Sequence, residues 1–153
     1  MILKWFLAYI ATALFFGALD AVWLRFAGPA LYRPALGDLL ADKFRVGPAV
    51  AFYIIYIAAL TFFAVAPGLA ANVGGSLKGV PLAMGLAAGI GLTAYAAYDL
   101  TNMATLKRWP IEITLIDLAW GTLASALAAG LAVLSLTKLG LLEQIGKAAG
   151  GLG

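Results

Sequence analysis

Three aspartates, Asp20, Asp99 and Asp117, lie inside long apolar runs of a 153-residue chain. A carboxylate is costly to keep in such surroundings, and one found there usually marks function. Two chemistries are open to it. It can hold or exchange a cation or a proton, or two carboxylates sharing a proton can activate water. Each aspartate has companions at helical spacing. Trp23 follows Asp20 by three residues and Trp120 follows Asp117 by three; Tyr95 and Asn102 flank Asp99, and Thr114 precedes Asp117. Residues three or four apart share a helix face. The expected ligand- or proton-binding set is therefore Asp20, Trp23, Tyr95, Asp99, Asn102, Thr114, Asp117 and Trp120.

Depth ties the three carboxylates together. Asp99 lies nine residues before Arg108, Asp117 nine residues after it, and Asp20 eight before Gly28. At about 1.5 Å per residue, straight helices would put all three roughly 12–14 Å below the same membrane face. Arg25, Lys107 and Arg108 are expected at the mouth of this pocket, where long basic side chains snorkel toward water. The plainer alternative is that the carboxyl groups bond to Tyr, Trp and Asn and only fix helix packing. Three at one depth favour a functional pocket.

The elements that must position these residues are membrane helices. The chain is 64% hydrophobic and 11% charged, well outside the composition of an ordinary soluble domain. Four runs, near Trp5–Ala27, Ala49–Ala66, Pro81–Leu106 and Ile111–Thr137, can each cross the bilayer, which takes about 20 residues as a helix. They lack the alternation of barrel strands. The expected fold is all-α: a four-transmembrane-helix bundle in one domain, residues 1–138, with a C-terminal tail over 139–153. The first run is expected to be retained, being too long for a signal-peptide core and lacking a clean A-x-A site.

Gly28-Pro29 is expected to end the first helix and Pro67-Gly68 the second. Between the first two spans, Leu36, Leu39, Leu40 and Phe44 share a helical face opposite Asp38 and Asp42. That pattern predicts a short amphipathic interfacial helix, a loop anchor or a lid over the aspartates. Pro48, Pro81 and Pro110 suit first turns of the later helices, and Lys107-Arg108-Trp109 makes a basic hairpin with an interfacial indole. Gly85 and Gly89, like Ala124 and Ala128, are assigned to close helix packing. The Gly-rich stretch Gly74–Gly79 lacks the G-K-[S/T] ending and the strand-to-helix setting of a phosphate loop. The tail after Lys138 is weakly amphipathic and expected to be mobile.

With no cysteine and no histidine, disulfides, thiol catalysis, haem or zinc held by those residues, and His-based proton transfer all drop out. No cofactor, metal or catalytic residue is assigned. A net charge of +3 spread over loops does not make a nucleic-acid-binding surface in so apolar a chain. The loops after the first and third spans carry Arg25, Arg33, Lys43, Arg45, Lys107 and Arg108, against Lys4, Lys78, Lys138 and Lys147 on the other face. The positive-inside rule then favours both termini outside and the aspartate face in the cytoplasm, a bias small enough to admit both orientations, as in dual-topology dimers.

The run Tyr98-Asp99-Leu100-Thr101-Asn102-Met103-Ala104-Thr105-Leu106-Lys107-Arg108-Trp109-Pro110, continuing to Asp117-Leu118-Ala119-Trp120-Gly121, closely resembles the bacterial membrane family labelled domain of unknown function 2177. Leu19-Asp20-Ala21-Val22-Trp23-Leu24 resembles that family's first helix. The resemblance covers nearly the whole chain except the tail. It implies a bacterial four-helix membrane protein and no activity; the expected location is the bacterial cytoplasmic (inner) membrane.

Three functions follow from the residues. The first is binding or proton-linked transport of a small or amphipathic molecule, with aromatics supplying cation–π contacts; so small a bundle then predicts a homo-oligomer. The second is an accessory or lipid-binding subunit of a membrane complex, with Lys107, Arg108 and the amphipathic loop engaging anionic lipid. The third is an aspartate-dyad hydrolase. Tyr98-Asp99 resembles part of a presenilin-type motif, but Thr114-Leu115-Ile116 stands where Gly-x-Gly should precede the second aspartate. The asparagine-containing motifs of lipoprotein signal peptidases are also missing, and the first reading is favoured.

Overall fold

The computed structural model describes residues 2–72 and 76–140. They form helices α1 (Ile2–Ala27), α2 (Arg33–Leu36), α3 (Val46–Leu60), α4 (Ala66–Ala71), α5 (Gly79–Thr105) and α6 (Ile111–Lys138). No strand occurs among the described residues. In hydrocarbon each backbone N–H and C=O must be satisfied within its own segment, which leaves helices as the form for these apolar runs. The helices join into four candidate spans: Ile2–Leu39, Val46–Ala71, Gly79–Thr105 and Ile111–Lys138.

Two prolines expected to stop helices do not. The first helix passes Gly28-Pro29 through a π turn, Gly28–Tyr32, in which the Arg33 N–H reaches back to the Gly28 carbonyl. It then continues through α2 and a single 3₁₀ turn, Gly37–Leu39. The second span passes Pro67 after another π turn, Thr61–Val65, closed by the Ala66 N–H on the Thr61 carbonyl. Proline lacks an N–H and its ring crowds the carbonyl four residues back. A locally widened turn relieves both problems, and neighbouring helices hold it.

The first span therefore ends at Leu39 rather than near Ala27. Gly37, with φ +47°, adopts a conformation open to glycine at little cost and lets the chain leave the helix axis. Beyond the 3₁₀ turn, Leu40–Arg45 contains no helix. The four apolar residues of the expected interfacial helix thus fall on both sides of a bend. The longer first helix has absorbed Leu36 and Leu39, while Phe44 lies exposed in the connection.

The fourth span is the axis of the bundle: half of its most apolar window is buried, against 17% in the first and third spans. Its contact with α5 is made by small residues, which let backbones approach where hydrophobicity cannot drive association. A Cβ on Gly91 would stand 2.1 Å from the Gly121 carbonyl oxygen, and one on Gly121 would stand 2.2 Å from the Tyr95 ring. Ala83, Ala87, Ala124 and Ala128 are fully buried around these points. Ala124 and Ala128 pack as expected. Gly85 and Gly89 do not: a Cβ at either meets nothing within 4 Å. They turn outward because the register set by Gly91 and Ala87 presents the opposite side of α5 to α6.

At the end away from the α5–α6 connection, Asn72 ties three spans together. Its side-chain N–H donates to Thr137 (2.9 Å), and its side-chain oxygen accepts the Gly79 N–H (2.6 Å). Helix α5 stops at Thr105. Leu106 is extended, and Trp109 is kept out of helix by the proline that follows it. Helix α6 then opens at Ile111 behind Pro110 and ends at Lys138, and Gly140, at φ +62°, turns the chain out of it in a left-handed conformation. The expected tail lies mostly outside the described residues, as do positions 73–75 of the Gly-rich turn.

Candidate functional site

Asp20, Asp99 and Asp117 are all buried among the spans, Asp99 completely. The first and last carry donors. Tyr53, on α3, donates its hydroxyl hydrogen to Asp20, and Trp120 donates its indole N–H to the other Asp20 oxygen at 3.2 Å. Tyr32, in the π turn, donates to Asp117. The Tyr32 oxygen in turn accepts the Trp23 indole N–H at 3.0 Å.

The two groups meet through their indoles. Trp23 and Trp120 stack with ring centroids 4.4 Å apart and planes within 9°. Asp117, Tyr32, Trp23, Trp120, Asp20 and Tyr53 therefore form one connected layer across the first, second and fourth spans. A face-to-face indole pair in an apolar bundle adds packing energy and fixes both N–H vectors, each toward a different acceptor.

Trp23 and Trp120 lie in this layer, with their hydrogen bonds crossed relative to the helical spacing. Trp120 serves Asp20 rather than Asp117, and Trp23 serves Tyr32 rather than Asp20. The expected depth of Asp20 rests on a helix exit at Gly28, which the continuing helix removes. Asp20 and Asp117 nevertheless enter one layer, because the π turn returns Tyr32 toward α6.

Asp99 stands apart. Both of its carboxylate oxygens are buried without a hydrogen-bond partner. Tyr95, one turn earlier, lays its ring on Gly121. Asn102, one turn later, is half-buried, and its backbone carbonyl accepts the Leu106 N–H at 2.9 Å. Thr114 faces the α5–α6 connection, where its hydroxyl accepts the Trp109 indole N–H at 3.0 Å. None of Tyr95, Asn102 and Thr114 joins the linked layer.

Lys107 and Arg108 are exposed on the α5–α6 connection and line a groove with Pro34–Leu39 of the first span. Arg25 is exposed on α1 and does not line that groove. Among the described residues, no group of three or more acidic side chains is placed to hold a metal ion.

Sequence reasoning missed Tyr32 and Tyr53 as aspartate partners. Tyr53 was legible in part: with Tyr56 it supplies the phenols of an otherwise uncharged span. Tyr32 had no signal, because its position depends on a π turn that shifts helical phase by one residue.

Four apolar spans with buried carboxyl groups define a polytopic helical membrane protein. The chain belongs to the family described as predicted membrane protein (DUF2177), whose model matches residues 5–134. That stretch holds the whole polar layer, Asp99 and the α5–α6 connection. No curated protein and no solved structure gives a significant match.

Proposed function

We propose that this protein binds a small cationic or amphipathic molecule within the bilayer, with Asp99 exchanging a proton for the cation. The observation that carries the reading is the pair of unpartnered, fully buried oxygens of Asp99. A buried polar group without a partner is destabilising, typically by about 1–3 kcal/mol and more when charged. Asp20 and Asp117 avoid that cost through Tyr53, Trp120 and Tyr32; Asp99 does not. Its carboxyl group is open to a proton or a cationic group, one at a time. The tyrosines and stacked indoles nearby hold the remaining carboxylates and add aromatic faces to the same bundle.

The hydrolase reading loses ground on the same observation. Asp99 has no hydrogen-bond partner, so it shares no proton directly with Asp117, which is engaged by Tyr32. The outward Gly85 and Gly89 favour a second reading, in which α5 docks a further membrane helix from another copy or another subunit. In either case the proposed setting is the bacterial cytoplasmic membrane, with both termini outside on the balance of loop charges.

The test uses tetraphenylphosphonium, a lipophilic cation, titrated calorimetrically into the full-length protein in nanodiscs between pH 5.5 and 8.5. Competition for one carboxyl group predicts weaker binding as pH falls, with loss of binding in Asp99→Asn. Absence of binding at every pH, or an unchanged pH profile in Asp99→Asn, rejects the proposal.

A further inference from the structure

A second feature lies outside the aspartate layer and does not depend on it. Between the end of the first span and the α5–α6 connection is a groove of about 580 Å³, within the range of small-ligand sites. One wall is Pro34–Leu39; the other is Lys107, Arg108, Trp109 and Pro110. Gly37, at φ +47°, turns the chain so that Asp38 lies on the first wall. Arg108 reaches across to Asp38 at 3.6 Å. Both of those side chains are almost fully exposed, at 80% and 93%, where an ion pair contributes little and exchanges readily. Lys107 has no carboxylate partner among the described residues.

Two cations against one carboxylate leave the groove with a net positive charge. Its position follows from the chain: a short connection between two spans must lie at the edge of the hydrocarbon. Trp109 is fixed there, its N–H on Thr114 (3.0 Å) and its ring edge-on to Tyr98 at 5.7 Å. The walls carry these charged side chains beside proline, leucine and indole surfaces.

We propose that this groove is a binding site for the phosphate-bearing headgroup of an anionic phospholipid. Lys107 and Arg108 take the phosphate oxygens, and Arg108 exchanges Asp38 for the lipid. A free phosphate would satisfy the cations but leave the proline, leucine and indole surfaces uncovered. The acyl and glycerol portions of a lipid cover them.

The test is native mass spectrometry of the full-length protein in detergent with equimolar phosphatidylglycerol and phosphatidylcholine, with and without inorganic phosphate. Wild type should retain phosphatidylglycerol selectively. Lys107→Gln and Arg108→Gln should each weaken retention about five-fold, the factor equivalent to about 1 kcal/mol per basic residue near an anionic surface. Asp38→Asn, which frees Arg108, should strengthen it. Arg25→Gln, outside the groove, should leave it unchanged. All four side chains are exposed, and thermal melts of each variant check that folding is retained. Equal loss in Arg25→Gln would show diffuse surface charge and overturn the site. Unchanged retention in both groove variants would overturn it as well. Displacement of the lipid by millimolar inorganic phosphate would assign the groove to free phosphate and overturn the lipid.

Discussion

Tyr32 donates its hydroxyl hydrogen to Asp117, joining residues 85 positions apart. Twelve residues separate Tyr32 from Asp20, about 18 Å along an uninterrupted helix, yet both take part in one polar layer. The π turn at Gly28–Tyr32 makes this contact available: one extra residue in a turn rotates everything after it by roughly 100°.

Pro29 and Tyr32 should therefore be coupled. Tyr32→Phe is expected to lower stability by about 1–2 kcal/mol, the upper end of interhelical hydrogen bonds in membranes. Pro29→Ala removes the reason for the widened turn and should cost a similar amount. The double variant should cost little more than either single one. Denaturation in mixed micelles measures the cycle, and full additivity would show that the turn does not place the phenol.

Tyr53→Phe removes one donor from Asp20 while leaving Trp120 in place. A loss of about 1 kcal/mol is expected. Tyr9→Phe is the comparison, because the Tyr9 hydroxyl makes only an exposed 3.4 Å contact with the Ile54 carbonyl; its effect should be much smaller in the same denaturation assay.

The parallel indoles of Trp23 and Trp120, 4.4 Å apart, should couple their transitions and produce an exciton couplet in circular dichroism. Trp23→Phe and Trp120→Phe should each abolish the same couplet. Trp5→Phe and Trp109→Phe should leave it intact, since neither of those indoles stacks on another. A couplet surviving in Trp23→Phe would separate the two rings.

Buried carboxyl groups with and without partners should respond oppositely to leucine. Asp99→Leu removes an unpartnered polar group and is expected to raise stability by about 1–3 kcal/mol. Asp20→Leu strands the Tyr53 and Trp120 donors and should lower stability by a comparable amount. Thermal unfolding in nanodiscs compares them, and a stability loss in Asp99→Leu would mean that the carboxyl group has a structural partner.

The glycines of α5 and α6 should divide by face. Gly91→Ala and Gly121→Ala force a methyl onto a carbonyl oxygen or the Tyr95 ring and should cost about 1–3 kcal/mol or more. Gly85→Ala and Gly89→Ala fill open space and should leave the monomer's unfolding free energy nearly unchanged. Light scattering of Gly85→Leu and Gly89→Leu separately reads whether that outer face joins another helix.

Much of the membrane architecture was legible in order. Four apolar runs, their spacing, the break at Trp109-Pro110 and the burial of Asp20, Asp99 and Asp117 all follow from local hydrophobicity and proline chemistry. The helix ends at Gly28-Pro29 and Pro67-Gly68 did not. In water a proline at those places commonly stops a helix, whereas here neighbouring spans and the need to satisfy the backbone in hydrocarbon favour a widened turn and a longer helix. The same extension replaced the expected interfacial helix: the amphipathic pattern over Leu36–Phe44 is divided by the bend at Gly37.

Partner choice within the polar layer was not legible either. Helical spacing put Trp23 with Asp20 and Trp120 with Asp117, but each indole crosses to an acceptor outside that pairing. Spacing along one helix identifies shared faces; it does not specify which neighbouring helix those faces meet. The sequence alone determined that the chain spans a membrane and that three carboxyl groups lie within the spans, because both depend on local composition measured against bilayer thickness. Only the tertiary structure decided that Asp20 and Asp117 are satisfied while Asp99 is not. That distinction depends on the rotation of each span about its axis, set here by Gly91 against Gly121 and by the π turn ahead of Arg33.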